Sequence, residues 1–151
     1  MSKITTEQVK KLRDSTGISI GEVKRALEEA LGDAGKAAEI LKKRGAAIAK
    51  KKSYRVLGSG YITSYLHGDG KIVAMVEVHC ETDFVAKNEV MRALAKEIAM
   101  QVAATDPEDI SRLLEEPWVK NPEQSVRELL EGAIQKTGER IEVGNFTRFE
   151  V

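Results

Sequence analysis

The sequence predicts an α+β fold, in which a unit of three short helices precedes a core made of an antiparallel sheet with helices packed on one face. Two observations predict this order. Apolar residues recur at helical spacing over the first 50 residues, and after residue 60 the period falls to two on either side of the turn-forming segment His67-Gly68-Asp69-Gly70-Lys71. The expected boundaries are a three-helix domain at 1–50, a linker at 51–59 and an α+β core at 60–151.

Local signals predict where the first three helices begin and end. The first two are expected to begin at capping boxes, in which a hydroxyl residue precedes Gln or Glu by three positions: Thr5 with Gln8, and Ser19 with Glu22. Gly17 and Gly32 are expected to end these helices, and Asp33 to cap the third. The apolar positions that would share one small core are Val9, Leu12, Val23, Ala26, Leu27, Ala30, Ala37, Ile40 and Leu41.

The segment between the two units is interpreted as a linker that is helical only in its first half. Gly45 is expected to loosen the third helix, and Gly58-Ser59-Gly60 to break the pattern. The run Lys50-Lys51-Lys52 is read as a solvated basic segment. No aromatic or Gly-rich signature accompanies it, so we expect no direct binding of nucleic acid. The glycines lack a Walker lysine, and we expect no nucleotide or other cofactor.

The core has a two-residue period followed by helical signals. Alternation puts four residues of one strand on the same face: Ile72, Ala74, Val76 and Val78. Asn88 is expected to cap a long helix that Asp106-Pro107 stops. Two short helices are predicted within 107–116 and 121–138, the second ended by Gly138, and a final strand within 140–151.

Composition and charge limit the class of protein. The chain has 151 residues, 42% of them apolar and 32% charged, which suits a globular protein rather than a disordered one. No apolar run approaches the roughly 20 residues of a membrane span, and MSKITTEQ reads as neither a signal nor a transit peptide. With one cysteine and no disulfide, we expect a cytoplasmic protein with no membrane partner. Residues 1–57 carry 14 Lys/Arg against 7 Asp/Glu and residues 58–151 carry 10 against 17, which indicates two modules with different surfaces.

Few residues are candidates for catalysis or metal binding. The strong metal-type ligands are His67, His79 and Cys80, without Cys-x-x-Cys or His-x-x-x-His spacing. His79 and Cys80 are strand neighbours and point to opposite faces, which predicts one surface histidine and one buried thiol. Cys80 would act as a nucleophile only with a histidine base on its own face. We therefore predict no catalytic residue and no metal site.

The segment VHCETDFVAKNEV places one large aromatic, Phe84, among charged residues. Two interpretations follow from the residues alone. Phe84 packs inward while Asp83 caps a turn of helix, or Phe84 is held out for insertion into the pocket of a partner, as interface anchors are. The local sequence leaves both open.

Three stretches resemble one known family. CETDFVAKN resembles the signature of the bacterial elongation factor Ts family, the nucleotide exchange factors of elongation factor Tu. VKKLRDSTGISIGEVKRALEEALGDAGKAAEILKKRG is similar to the ubiquitin-associated (UBA)-like three-helix domain of that family, and TGERIEVGNFTRFEV to its C-terminal pattern. The resemblance covers nearly the whole chain.

The resemblance implies an exchange factor that acts as a wedge, without covalent chemistry. Asp83 and Phe84 would contact the GTPase domain of elongation factor Tu, with Phe84 entering an apolar pocket and disturbing the element that holds Mg²⁺. The remaining motif residues expected to contact the partner are Thr82, Val85, Lys87 and Asn88. The N-terminal domain would add a second contact through Leu12, Arg13, Thr16, Gly17 and Ile20. Gly21 departs from the bulky pair common in the family, which implies a smaller or shifted contact there.

Chain length adds an expectation about assembly. The chain has room for one core subdomain and no coiled coil, and short relatives compensate by pairing two chains, so the resemblance implies a homodimer whose core sheets pack on each other. Phe146, Phe149 and the hairpin are candidates for that interface. Two other functions stay open: a binding module whose three helices engage ubiquitin-like or ribosomal partners, and an enzyme centred on Cys80.

Overall fold

The computed structural model describes residues 4–151 and confirms a fold that mixes helices with an antiparallel sheet. The helices are α1 Thr6–Thr16, α2 Ile20–Glu29, α3 Ala34–Lys52, α4 Asp83–Ala86, α5 Glu89–Thr105, α6 Ile110–Glu115 and α7 Val126–Thr137. The strands are β1 Ser59–His67, β2 Ile72–Cys80, β3 Pro117–Trp118, β4 Asn121–Ser125 and β5 Glu142–Glu150.

Helices α1, α2 and α3 enclose a small core of their own, as their apolar spacing predicts. Thr5 forms a full capping box with Gln8, whereas Ser19 accepts only the amide of Glu22, whose carboxylate lies 3.5 Å from Arg25. The first predicted helix end is confirmed, since Gly17 caps α1 with a left-handed φ of 66°. Helix α2 ends at Glu29, earlier than expected, and Gly32 instead lies in the turn before α3.

Helix α3 runs without a break through Gly45 to Lys52, so the prediction that Gly45 loosens it is wrong. Gly45 is buried, and a Cβ at this position would lie 2.9 Å from Oε1 of Gln135 on α7. The glycine therefore permits close approach of two helices rather than a break. Because α3 passes residue 50, the beginning of the predicted linker is helical, and the domain boundaries themselves stay a prediction.

The core sheet has three antiparallel strands in the order β1-β2-β5. One face is buried through Ala74, Val76, Val78 and Cys80, which pack with α5 and α7 in a single apolar cluster. Asn88 caps α5, and Asp106 ends it in the left-handed region at φ 48°, as the sequence predicts. The helices therefore cover one face of the sheet.

The opposite face of the sheet is open among the described residues. Four large apolar side chains stand on it, with exposed fractions between 47% and 65%: Ile62, Leu66, Met75 and Phe149. The register aligns Leu66, Val73 and Phe149 across the three strands. This uncovered face therefore has an apolar row at the hairpin end, and Glu77 and His79 lie on the same face further along β2.

The short ribbon of β3 and β4 was not predicted. Residues 121–125 were expected to open the last helix, but they pair with Pro117–Trp118. The reason is local, because Ser125 forms a capping box with Glu128 and so starts α7 at Val126. Among residues 4–151, no helix combines the length and the apolar character needed to cross a membrane.

Candidate functional site: an exposed aromatic tip

Phe84 stands out from the surface on the one-turn helix α4, with 81% of its area exposed. Thr82 caps this turn by accepting a hydrogen bond from the amide of Val85 at 3.4 Å. Val85 and Ala86 are buried, at 3% and 6% exposure, and join the apolar cluster of the core. Successive residues of a helix point about 100° apart, so anchoring Val85 and Ala86 inward turns Phe84 outward. The inward-packing interpretation of Phe84 is therefore wrong.

Asp83 is exposed beside Phe84, and one neighbour holds its carboxylate. The hydroxyl of Ser59, at the start of β1, donates to Oδ1 of Asp83. A carboxylate accepts several hydrogen bonds, so Asp83 keeps acceptor capacity that points to solvent. The tip therefore presents an apolar ring and an oriented negative charge side by side.

The loop between α7 and β5 holds the backbone that leads into α4. Oε1 of Glu139 accepts hydrogen bonds from the amides of Glu81 at 3.1 Å and Thr82 at 3.0 Å. Oε2 of the same carboxylate accepts the hydroxyl of Thr82 at 2.7 Å. Three hydrogen bonds to one carboxylate thus fix the N-terminal end of the tip.

A second set of contacts ties the same loop to the end of α3. Nζ of Lys52 donates to the carbonyl of Gly138 at 2.6 Å, and the guanidinium of Arg140 donates to the carbonyl of Arg55. The amide of Arg140 also donates to Oε1 of Glu81 at 2.7 Å, and Arg55 lies 3.5 Å from that carboxylate. The tip, the loop and the segment after α3 therefore form one hydrogen-bonded unit.

Sequence reasoning missed Glu139 and Arg140. Both lie in TGERIEVGNFTRFEV, which served only as part of the resemblance. Glu139 is 57 positions after Thr82, and no local pattern joins residues at that separation. A polar pair directly after the helix-ending Gly138 was the one signal available.

The other motif residues lie at the C-terminal end of the tip. Lys87 caps α4 and is exposed. Asn88 is half-buried and accepts the amide of Val90 at 2.8 Å, which starts α5 directly after α4. Of Lys87 and Asn88, only Lys87 is exposed. Asn88, like the buried Val85, holds the backbone.

The residues of the three-helix unit that were predicted to contact a partner also divide into buried and exposed ones. Leu12 is buried at 7% exposure, and its carbonyl accepts the hydroxyl of Thr16 at 2.7 Å. Arg13, Gly17 and Ile20 are exposed, Ile20 at 55%. A Cβ built on Gly17 would lie 2.7 Å from Cε of Lys136, so the turn after α1 rests against the end of α7. Since Glu139 follows that end and holds the tip, both predicted contact regions lie at the same end of α7.

Cys80 lies beneath the tip and not in a reactive arrangement. Its side chain is fully buried, and Sγ donates to the carbonyl of Thr82 at 3.3 Å. Burial, with the negative charge of Glu139, raises the pKa of the Cys80 thiol. His79 lies on the other face of the sheet against Glu77, and His67 is at the far end of the hairpin, about 25 Å along the strands. Among residues 4–151, therefore, no histidine lies within reach of the thiol: His79 is on the opposite face, and His67 is on the same face but at the other end of the strands.

A cleft lies away from the tip and from Cys80. This cleft, of about 610 Å³, separates the three-helix unit from the core, and Ile18, Leu41, Leu94, Trp118 and Leu129 form much of its apolar wall. Within the part of the chain that the structure describes, no three His, Cys, Asp or Glu side chains are grouped so that they could hold a metal ion.

The fold and the tip together define a small α+β protein that presents one aromatic side chain on a firmly held backbone, an arrangement typical of protein–protein contacts. Comparison with known sequences identifies the family of this chain. The family model described as Elongation factor TS matches residues 81–151, a range that includes the tip and its loop.

Curated relatives extend the similarity over the whole chain. Elongation factor Ts of Carboxydothermus hydrogenoformans is 38% identical over 193 aligned residues, covering 98% of this chain and 89% of the relative. The corresponding protein of Thermodesulfovibrio yellowstonii is also 38% identical, with 98% and 96% covered. The chain therefore belongs to the elongation factor Ts family, which consists of translation elongation factors. This membership confirms the resemblance that CETDFVAKN indicated. Since the first alignment is longer than the 151-residue chain, that relative carries segments within the aligned region that this chain lacks.

Proposed function

We propose that this protein accelerates the release of GDP from elongation factor Tu by inserting Phe84 into its GTPase domain. The observation that carries the proposal is the 81% exposure of Phe84 on a backbone held by buried neighbours and by Glu139. Burying a phenylalanine side chain in an apolar pocket contributes about 1.5–3 kcal/mol. Because the backbone that carries Phe84 is already ordered, little of this gain is lost to ordering of the chain.

The inserted ring would act on the partner and not on the nucleotide. Mg²⁺ bridges the phosphate oxygens in GTPases, so a wedge that displaces the element holding Mg²⁺ weakens nucleotide binding. Coupling is reciprocal, and the nucleotide must weaken the binding of this protein by the same factor. Refilling of the site by GTP therefore releases the exchange factor.

Asp83 has a complementary part in the contact. Its carboxylate is exposed and oriented by the hydroxyl of Ser59. A carboxylate beside an aromatic anchor can accept N–H groups of the partner and set the register in which the ring enters. We infer that Asp83 orients the complex while Phe84 contributes the apolar contact.

The turn after α1 would form the second contact through Arg13, Gly17 and Ile20. This turn and the tip flank the same end of α7, so one face of a globular partner can reach both. Leu12 and Thr16 would act indirectly, by supporting the turn. Gly21 adds no side chain, which keeps this contact small.

We also propose that two chains pair through the open face of the core sheet. Ile62, Leu66, Met75 and Phe149 each expose much of their apolar area there, and monomeric proteins seldom expose large apolar patches. Two sheets packed face to face would bury these side chains. A translation factor of this kind would work in the cytoplasm, where we expect to find it.

The proposed exchange activity is tested by release of a fluorescent GDP analogue from Mg²⁺-loaded bacterial elongation factor Tu. We expect this protein to accelerate release, and Phe84→Ala to remove most of the acceleration while the chain stays folded by circular dichroism. Leu31→Ala, at another side chain that is 80% exposed, is the matched control and should change little.

Two results would contradict the proposal. An unchanged rate with Phe84→Ala would remove the tip from the mechanism. Activity that requires residues 1–50 and ignores Phe84 would favour the alternative of a three-helix binding module.

A further inference from the structure

We propose that the loop Gly138–Arg140, here called the clamp loop, is the positioning element of the tip, and that Glu139 is its positioning residue. This inference rests on the proposed exchange function, because it concerns how Phe84 is held for the partner. Glu139 itself need not touch the partner. It would act through Thr82, the residue that caps the tip.

The geometry supports a clamp because one carboxylate takes three donors from two consecutive residues. The amides of Glu81 and Thr82 lie 3.1 and 3.0 Å from Oε1, and the Thr82 hydroxyl lies 2.7 Å from Oε2. Hydrogen bonds to an ionised acceptor are about twice as strong as neutral ones. The backbone that enters α4 is therefore held by three hydrogen bonds to one carboxylate.

A helix of four residues needs such support. One turn of helix is unstable alone, since ordering its residues costs more than its few hydrogen bonds return. Val85 and Ala86 anchor the inner side of α4, but they do not determine where the chain enters the turn. Glu139, from the clamp loop, determines where the chain enters the turn. The hydroxyl of Thr82 links this contact to the helix cap, because it donates to Glu139 and accepts from the amide of Val85.

The clamp loop also binds the end of the three-helix unit. Its Gly138 carbonyl accepts Lys52, and its Arg140 donates to the carbonyl of Arg55. The loop therefore keeps the tip and the end of α3 in one relative position. A partner that contacts both the tip and the turn after α1 needs that position to be maintained.

Loss of the clamp should weaken the encounter with the partner more than the wedge itself. The Phe84 side chain is still present, but its backbone samples more positions. Binding must then order that backbone, which costs conformational entropy. We therefore expect Glu139→Ala to raise the concentration needed for half-maximal GDP release about tenfold, as the loss of a charge-assisted bond implies. The maximal rate at saturation should change much less.

Glu139→Gln is the conservative variant. Its side-chain oxygen can still accept the two backbone amides, while the amide group replaces Oε2 opposite Thr82. A neutral acceptor gives a weaker bond, so the half-maximal concentration should lie between those of the wild type and Glu139→Ala. Glu115→Ala, at an exposed glutamate of α6, is the control for loss of a carboxylate.

Two readouts report on the clamp without elongation factor Tu. Amide hydrogen exchange at Glu81 and Thr82 measures the two backbone bonds directly, and Glu139→Ala should speed both by roughly tenfold or more. Labelling of Cys80, the single cysteine of the chain, reports opening of the tip because its Sγ lies buried against Thr82. Because the charge of Glu139 also raises the pKa of the Cys80 thiol, Glu139→Ala is compared with Glu139→Gln, which removes the same charge. Labelling should be slow in the wild type and in Glu115→Ala, and faster in Glu139→Ala than in Glu139→Gln.

The readouts separate failure of this inference from failure of the proposed function. Unchanged exchange of the two amides and unchanged labelling in Glu139→Ala would overturn the clamp. If Glu139→Ala loosens the tip but leaves GDP release unchanged, while Phe84→Ala abolishes it, the positioning role of Glu139 is overturned. If the wild type fails to release GDP at all, the exchange function is wrong, and hydrogen exchange with Cys80 labelling still decides whether Glu139 holds the tip.

Discussion

Seven consecutive residues, 82–88, serve different purposes in this protein. Thr82 and Asn88 cap two successive helices, Val85 and Ala86 are buried, and Phe84 is exposed on the turn between them. Lys87 and Asp83 are exposed beside it. Thr82, Val85, Ala86 and Asn88 therefore support the turn on which Phe84 is exposed.

Cys80 gives a residue-scale prediction that separates binding from enzymatic chemistry. Cys80→Ala should leave GDP release close to the wild-type value, since the thiol is buried and no histidine among residues 4–151 lies within reach of it. It should also destabilise the chain by about 1–2 kcal/mol through the small cavity left behind. Urea unfolding and GDP release measure the two effects. Loss of activity in a folded Cys80→Ala chain would revive the enzyme alternative.

Glu131 predicts a pH dependence of stability. Burial raises the pKa of Glu131, with Arg127 acting in the opposite direction. A carboxyl whose pKa is higher in the folded state binds more protons than in the unfolded state, so its contribution to stability is present at low pH and is lost as pH rises through the raised pKa. Glu131→Gln should therefore raise the melting temperature at neutral pH relative to the wild type, with less difference near pH 4.

The test is thermal unfolding of the wild type and Glu131→Gln across the acidic range. Glu115→Gln is the control at an exposed position, and its difference from the wild type should vary less with pH. A Glu131→Gln difference that stays constant with pH would show that the carboxyl of Glu131 is not the cause.

At the scale of elements, α3 and α7 show how a glycine is accommodated inside a helix that packs against another. Gly45 is expected to weaken a helix by about 1 kcal/mol, but it lies where α3 packs against α7. Gly45→Ala should be neutral or slightly stabilising, because the added Cβ meets only the movable end of Gln135. Gly45→Leu should destabilise by about 1–3 kcal/mol, because the larger side chain forces the helices apart.

Urea unfolding measures both changes at Gly45, and Ala47→Leu, at an exposed position of the same helix, is the control. Equal stability of Gly45→Leu and Ala47→Leu would mean that α3 and α7 do not pack closely at this point.

The elements also explain where sequence reasoning succeeded and where it failed. Caps at Thr5, Asp33 and Asn88 were predicted because each needs only residues a few positions away. Gly45 was misjudged because its effect depends on a helix about 90 positions later. The β3–β4 ribbon was missed because the Ser125–Glu128 capping box was not weighed against the helical pattern before it.

At the scale of the whole molecule, the open sheet face predicts the state of assembly. Phe149→Lys should convert a homodimer to a monomer, since each paired chain would bury a charge in an apolar interface. Light scattering at micromolar concentration measures the mass, and Leu31→Lys is the control at an exposed residue outside the sheet. A wild-type mass of one chain would contradict the homodimer.

By itself the sequence determined the α+β fold class, most helix and strand starts, the family and the segment that carries the tip. These depend on short-range patterns, namely caps at three-residue spacing, strand alternation and a contiguous motif. Only the tertiary structure decided that Phe84 points outward, that Glu139 holds Thr82 and that the turn after α1 shares one end of α7 with the tip. Each of these depends on which neighbouring side chains are buried and on hydrogen bonds between residues far apart in sequence. Such contacts exist only once the chain has folded.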